Sequence, residues 1–130
     1  MELATIESKL REMLLPILGL DSIEEVQLRH SLVHDLGAES LDFVEIMYMI
    51  ERDFGVVLKT KEIILGGAGV TENQVFTDGK LTQNGVLLIM QQFPENSAKI
   101  TVGLTKIDIF SLITVRDLAK IISMKIAKVG

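Results

Sequence analysis

The sequence predicts an all-α protein, a small bundle of helices that pack through aliphatic side chains. The 130 residues are 48% hydrophobic and 24% charged, which is the balance of a folded chain long enough to bury a core. Trp is absent and there is only one Tyr, so the composition favours helices over an aromatic-rich β-sandwich. Apolar residues also recur at helical spacing along much of the chain. We expect residues 1–130 to form one domain.

The first helix is predicted over about residues 5–15. Pro16 lies near the end of its apolar pattern, and Gly19 is a stop signal. A polar loop follows, with a helical turn expected at residues 22–26. The apolar positions that predict this helix are Ile6, Leu10, Met13, Leu14 and Ile17.

The strongest helical signal runs from Ser40 to Phe54 and stops at Gly55. One apolar stripe of this helix should face the core. Its members are Phe43, Ile46, Met47, Ile50 and Phe54.

A second, smaller apolar set, formed by Leu41, Val44 and Tyr48, lies roughly 140° round the same helix. Glu45 and Glu51 flank this set. An apolar spot ringed by acids suits transient docking of another protein, because the rim steers the partner and the centre supplies desolvation. The alternative is a second packing contact inside the domain.

Residues 59–111 carry several turn signals. Asp78-Gly79 predicts either a short hairpin or a simple turn, and Thr82 is predicted to cap a helix that ends before Pro94. The GGAG stretch at residues 66–69 is interpreted as a flexible linker, because no phosphate-loop motif surrounds it.

The last helix is predicted to begin at Thr114, with Asp117 in its first turn. Before it, residues 59–111 hold too many apolar side chains for a solvated linker, so we expect them to pack on the bundle. These apolar residues are Ile63, Ile64, Leu65, Val86, Leu87, Leu88, Ile89, Met90, Phe93, Ile107, Ile109 and Phe110.

The formal charge of −5 is concentrated in one stretch. Between Asp35 and Phe54 there are six acids and one base, Arg52, so the remaining 12 acids and 12 bases cancel. Nucleic acid is therefore an unfavourable partner, whereas a basic protein surface is a favourable one. The six acids are Asp35, Glu39, Asp42, Glu45, Glu51 and Asp53.

Several kinds of chemistry are disfavoured. The chain has no Cys, which excludes disulfides, thiolate metal sites and cysteine nucleophiles. His30 and His34 lack the further ligands that a metal needs, so no metal site is predicted. There is no membrane-spanning apolar run and no signal-peptide pattern, and we expect a cytoplasmic protein.

Ser40, at the start of the acidic helix, has two interpretations from the residues alone. It can be an N-cap, or its hydroxyl can be a modification site where a phosphate would meet the positive end of the helix dipole. A hydrolase triad of Ser40, His34 and Asp35 is disfavoured, because no G-x-S-x-G elbow is present.

The segment Asp35-Leu36-Gly37-Ala38-Glu39-Ser40-Leu41-Asp42 resembles the phosphopantetheine attachment motif of acyl carrier proteins, D-L-G-x-D-S-L-D. Glu39 replaces the usual aspartate. The resemblance covers about residues 5–58 and 112–127. It implies a four-helix bundle of a specialised member, with an insertion at about residues 59–111. From the turn and cap signals above, we expect this insertion to hold one added helix and either a short hairpin or a simple turn.

The resemblance also implies the chemistry. A transferase would move 4′-phosphopantetheine from coenzyme A to Ser40, with Asp35 and Glu39 presenting the serine and its magnesium-bound donor. Gly37 belongs to the same cofactor-binding set, in the turn that leaves the serine hydroxyl open. The positions implied for partner docking are Leu41, Asp42, Val44, Glu45, Tyr48 and Glu51. The partners implied are a phosphopantetheinyl transferase and acyl-ligase, ketosynthase or acyltransferase enzymes with basic docking faces.

The resemblance further implies core and acyl-cavity positions, namely Phe43, Ile46, Met47, Ile50, Phe54, Leu58 and Leu112. Arg52 stands where the family more often has an acid. We hypothesise that residues 59–111 enlarge or lid this cavity, or form a dedicated partner face.

We therefore expect a monomeric acyl carrier without catalysis of its own, serving fatty-acid, specialised lipid or polyketide synthesis. Two alternatives stay open. The chain could be an unmodified structural or regulatory protein with the carrier fold. It could also be a peptidyl or aminoacyl carrier, although those more often have an L-G-G-x-S-L entry and the acidic helix argues against them.

Overall fold

The computed structural model describes residues 1–65 and 70–129. This part of the chain is mainly helical, so the all-α prediction is confirmed. Its elements are α1 (Leu3–Leu18), a 3₁₀ turn (Ile23–Glu25), α2 (Ser40–Phe54), α3 (Thr60–Ile64), α4 (Glu72–Val75), β1 (Phe76–Thr77), β2 (Lys80–Leu81), α5 (Gln83–Met90), a second 3₁₀ segment (Pro94–Lys99), α6 (Lys106–Phe110) and α7 (Val115–Val129).

The three long helices form the centre of the fold, and α1 packs against both α2 and α7. Each of the three contributes an apolar stripe at helical spacing to a common core. The side chains that these helices bury are Ile6, Leu10, Met13, Leu14, Ile46, Ile50, Phe54, Val115, Leu118, Ala119, Ile121 and Ile122.

Helix α1 is longer than predicted, because it begins at Leu3 and continues past Pro16 to Leu18. A proline in the last turn removes only one hydrogen bond, which a helix packed on two neighbours tolerates. The helix ends where Gly19 adopts φ +68° and its N–H donates to the Leu15 carbonyl.

The start of α7 is capped as the sequence predicts. The Thr114 N–H donates to Asp117 Oδ2 at 3.0 Å, and the Asp117 N–H donates to Thr114 Oγ1 at 3.1 Å. Burial raises the pKa of Asp117, because desolvation disfavours the charged carboxylate. A single antiparallel bridge joins Ser31 to Thr114 and so links the loop before α2 to this end of α7.

The Asp78-Gly79 pair forms a hairpin rather than a simple turn, with β1 and β2 antiparallel. Both turn residues have positive φ, +52° and +77°, as a two-residue hairpin loop requires. The adjoining segment extends the ladder, because the Leu81 N–H donates to the Leu104 carbonyl and the Gly103 N–H donates to the Leu81 carbonyl, each at 2.8 Å.

The prediction of one added helix within residues 59–111 is incomplete. The helix capped by Thr82 is present as α5, but α3, α4 and α6 also occur there. Helices of four or five residues are too short to show a hydrophobic period. Their sequence signal is the cap instead: Thr71 stands three residues before Gln74, and Thr105 three residues before Asp108.

The expectation that residues 59–111 pack on the bundle is confirmed for the described part, because their buried side chains join one cluster with those of α1, α2 and α7. Leu87 and Ile107 are exceptions and are exposed. The predicted GGAG linker lies outside the described residues. No helix in the described ranges is both long enough and apolar enough to cross a membrane.

A close contact between α4 and α5 requires glycine at position 85, since a Cβ there would lie 2.2 Å from the Val75 carbonyl oxygen. Gly85→Ala should therefore destabilise the fold by about 1–3 kcal/mol, although alanine normally favours a helix. Urea unfolding measures the change. Asn84→Ala, at an exposed position of the same helix, should change stability by less than about 0.5 kcal/mol. A stabilised Gly85→Ala variant would contradict the contact.

Candidate functional site

A tight turn over residues 31–38 delivers the chain to the start of α2. The Leu36 N–H donates to the Ser31 carbonyl at 3.1 Å, and the Ala38 N–H donates to the Leu32 carbonyl at 2.8 Å. Gly37 adopts φ +71°, a left-handed conformation in which any side chain is strained. Ala38 is buried, whereas the next residues, Glu39 and Ser40, are exposed. The chain therefore leaves the core between Ala38 and Glu39, directly before α2.

Asp35 stabilises this turn. Its Oδ2 accepts hydrogen bonds from the Ser31 N–H at 2.8 Å and from the Ser31 hydroxyl at 3.3 Å. The backbone hydrogen bond from Ser31 is the main reason that the pKa of Asp35 is lowered, and the positive charges of His30 and Arg29 add to it. Asp35 thus shapes the turn that places Ser40.

Ser40 is the first residue of α2, and Glu39 is its N-cap, so the N-cap interpretation of Ser40 is wrong. The cap contact comes from Asp42, whose Oδ2 accepts the Glu39 N–H at 2.8 Å. Within the described ranges the Ser40 hydroxyl makes no hydrogen bond to another side chain or to the backbone. The hydroxyl is thus exposed at the N-terminal end of α2, where the first turn of a helix leaves backbone N–H groups without intrahelical partners.

The side chains of a hydrolase triad do not come together. Asp35 bonds to Ser31, and no hydrogen bond joins Ser40 to His34 in the described part of the chain. The other histidine, His30, accepts a hydrogen bond from the Gln27 N–H at Nδ1. The described residues also contain no group of three or more potential metal ligands among His, Cys, Asp and Glu.

The outer face of α2 is exposed where the sequence predicted a second apolar set. Leu41 is 82% exposed, Val44 68% and Tyr48 64%, so the alternative of a second packing contact is wrong for these residues. Glu45 and Glu51 are exposed beside them and form no ion pair with any described residue. We call these five residues the acidic docking face, after the docking role that the sequence predicts for them.

The remaining charges of this helix are partly neutralised locally. Arg52, which departs from the family pattern, pairs with the neighbouring Asp53 at 2.9 Å. It therefore cancels an acid beside it and leaves the carboxylates of the acidic docking face uncompensated.

A groove of about 670 Å³ opens beside Ser40, between α2 and α6. Phe43 and Phe110 meet across it, with ring centroids 4.3 Å apart and a 53° angle between the planes. Leu58 and Leu112, which the resemblance places at core or cavity positions, do not line this groove; Leu58 is buried in the core. The lining residues are Val33, Ala38, Glu39, Ser40, Phe43, Val44, Met47, Thr60, Ile107, Phe110 and Ser111.

Sequence reasoning missed the exposure of Ile107, which was expected to be buried. Its side chain is 78% exposed on α6, and it shares the groove lining with Val44. The available signal was the Thr105–Asp108 cap, which predicts a helix whose second residue is an isoleucine between two charged ones. The structure thus adds an apolar residue from α6 beside the acidic docking face.

The family model of the phosphopantetheine attachment site matches residues 8–65. The match begins inside α1 and extends through the turn, α2 and α3, and it confirms the resemblance to carrier proteins for that segment. It ends before residues 70–129, so the insertion and the resemblance of the last helix stay predictions. No curated protein and no solved structure matches the chain.

The lowered pKa of Asp35 makes a pH-dependent prediction. Because the folded pKa lies below the ordinary value of 3.8, the stability contributed by the carboxylate is present at neutral pH and is lost as the pH falls through the folded pKa. An NMR titration should place the Asp35 midpoint below 3.8. At neutral pH, Asp35→Asn should speed hydrogen exchange at the Ser31 amide more than at the Ala38 amide, which bonds to a carbonyl. A midpoint at or above the ordinary value would contradict this role.

Proposed function

We propose that this protein is an acyl carrier whose 4′-phosphopantetheine is attached to Ser40, because residues 8–65 match the family model of the phosphopantetheine attachment site. The observation that carries the proposal is the exposed Ser40 hydroxyl at the start of α2, within the matched segment and at the rim of an apolar groove. The protein would hold acyl groups as thioesters and leave their chemistry to other enzymes.

The residues around Ser40 fit this prosthetic group. The chain has no thiol of its own, so the sulfur of the thioester has to come from the attached group. In the transfer, the Ser40 oxygen forms a bond to phosphorus, the phosphoanhydride bond of coenzyme A breaks, adenosine 3′,5′-bisphosphate leaves, and the hydroxyl proton is released. The resulting phosphodiester would lie at the positive end of the α2 dipole. Asp35 and Gly37 would support this step by holding the turn, and Glu39 by its exposed carboxylate.

The groove favours an acyl cargo. Most of its lining side chains are apolar, including Phe43, Met47 and Phe110, and an acyl chain buried there gains the transfer free energy of each methylene removed from water. A peptidyl or aminoacyl cargo would leave polar backbone groups against this surface. The apolar lining therefore supports an acyl carrier over the peptidyl alternative.

The acidic docking face would receive the partner enzymes. Its apolar centre of Leu41, Val44 and Tyr48 is exposed, and its two glutamates attract a basic rim. Asp42 would contribute from its half-buried position as the capping residue. The partners that we propose for this face are a phosphopantetheinyl transferase and acyl-ligase, ketosynthase or acyltransferase enzymes. We further propose that residues 1–130 act as one domain and as a monomer.

The second candidate is an unmodified structural or regulatory protein that has the carrier fold. An exposed serine in an intact turn weighs against it, because a purely structural role requires neither the hydroxyl nor its exposure.

Ser40→Ala should abolish modification. Incubation of the wild-type protein with coenzyme A and a promiscuous transferase should add the mass of one phosphopantetheinyl group, as read by mass spectrometry. Ser111→Ala is the matched control, because Ser111 lines the same groove but its hydroxyl donates to the Ile107 carbonyl. The control should be modified as the wild type is. A wild-type chain that several active transferases leave unmodified would overturn the proposal.

Reversing the charge of the acidic docking face should slow that modification. Glu45→Lys with Glu51→Lys should lower the rate by about tenfold at low ionic strength and weaken its dependence on salt. The matched control is Glu12→Lys with Glu24→Lys, which changes the net charge equally at exposed positions away from α2. Equal rates in both double variants at every ionic strength would show that the α2 glutamates are only a solvated face.

A further inference from the structure

Only one of the two walls of the groove beside Ser40 lies within the segment that the family model matches. One wall is α2, which lies inside the matched segment 8–65. The opposite wall is mainly α6 and the residue after it, which contribute Ile107, Phe110 and Ser111. The width of the groove therefore depends on what holds α6 in place.

Helix α6 has only five residues and cannot hold its own position, because helices this short are unstable in isolation. Its C-terminal end contacts the bundle, where Ile109 is buried and Phe110 meets Phe43. It also packs on α3. Its N-terminal end has different neighbours, and these come from residues 70–105, which we call the brace.

The hairpin of the brace holds the chain that enters α6. Lys80 and Thr105 form an antiparallel bridge, next to the two backbone hydrogen bonds between Leu81 and the segment 103–104. Thr105 is also the N-cap of α6 and accepts the Asp108 N–H. The cap of α6 is thus tied directly to the edge of the hairpin.

A side chain of α6 makes the second link. Lys106 Nζ lies 2.7 Å from Glu72 Oε1 on α4 and 5.8 Å from the centre of the Phe76 ring on β1. Helix α4 is in turn pressed against α5, where Gly85 leaves no room for a Cβ beside Val75. Lys106 therefore links α6 to α4, which packs on α5.

The far side of the brace is anchored to α7 and to the chain that precedes it. Lys120 Nζ donates to the Gln92 carbonyl at 2.6 Å, and Asn96 Nδ2 donates to the Leu112 carbonyl at 2.6 Å. Arg116 pairs with Glu95 at 3.3 Å. The brace thus connects α7 to the N-terminal end of α6.

We propose that the brace sets the width of the groove by fixing α6, and so determines the length of acyl chain that the groove shelters. Among the described residues of the brace, none lines the groove, so the brace acts through α6 rather than as a lid. Lys106, Glu72 and Gly85 are positioning residues in this arrangement. The inference rests on the proposed function only in taking an acyl chain as the occupant.

The test measures how tightly the unmodified full chain binds free straight-chain acyl-pantetheines of about four to about sixteen carbons. The NMR shifts of Val44 and Ile107 report the binding. In the wild type the affinity should rise by about fourfold for each added methylene until the groove is filled, and then level off. Lys106→Met removes the link to Glu72 and should change the affinity for the longest chains by about threefold, the size of effect that an exposed ion pair transmits.

Arg52→Met is the matched control, because it removes an exposed ion pair between two neighbouring residues of α2, rather than one that holds the brace or α6. It should leave the chain-length profile unchanged. The inference is overturned if the two variants share the wild-type profile, if both shift it equally, or if no acyl-pantetheine of any length moves the Val44 and Ile107 signals.

Gly85→Ala is the stronger perturbation of the brace. If this variant folds, it should shift the dependence of affinity on chain length further than Lys106→Met does. If it does not fold, the Lys106→Met result decides the question. The readout needs no covalent modification, so its failure is distinct from that of the proposed function. A chain that binds acyl-pantetheines with a brace-dependent profile but never receives the group on Ser40 would contradict the attachment proposal alone. A chain that is modified normally but has a brace-independent profile would contradict the brace alone.

Discussion

The burial of one face of α2 is the constraint on which the rest of the structure depends. Ile46 and Ile50 pack in the common core, and this sets the rotation of the helix about its axis. Once the rotation is set, Leu41 and Tyr48 must face solvent and Phe43 must face the groove. The turn before α2 adds the last condition. Gly37 in this turn and the Asp42 carboxylate, which accepts the Glu39 N–H, place Ser40 at the exposed N-terminal end of α2. The packing of this one face therefore positions Ser40, the exposed outer face of α2 and the groove.

The two walls of the groove differ in how they are stabilised. Helix α2 has fifteen residues, a buried stripe and a glycine C-cap, so it is defined by its own sequence and by the core. Helix α6 is defined mostly by its neighbours, through Thr105, Lys106 and Phe110. Changes in the neighbours of α6 can therefore alter the shape of the groove while α2 and the serine motif at its start stay the same. That arrangement would suit the proposed carrier function, in which one modification site is combined with a groove adapted to a particular cargo.

Local signals in the sequence were sufficient wherever a few neighbouring residues decide the conformation. The bounds of α2, a turn at Asp78-Gly79 and the Thr82 cap were all predicted, because each depends on contacts within about four residues. The N-cap of α2 was misplaced by one residue, from Glu39 to Ser40. Both residue positions can take an extended backbone, and the preceding turn, which is set by Ser31 and Asp35, selects between them. The short helices α3, α4 and α6 were missed because helices of four or five residues are too short to show a periodic spacing of apolar residues.

The sequence by itself determined the helical class, the acidic stretch and the exposed serine motif, because each is a property of adjacent residues or of a single helical period. Only the tertiary structure decided that a groove exists and which residues wall it. Phe43 and Phe110 are far apart in the chain, and no local pattern brings their rings together. The exposure of Ile107 was likewise decided by the way α6 packs on the rest of the fold, which buries Ile109 and leaves Ile107 at the groove. Contacts between distant segments depend on the whole packing, and a local pattern does not encode them.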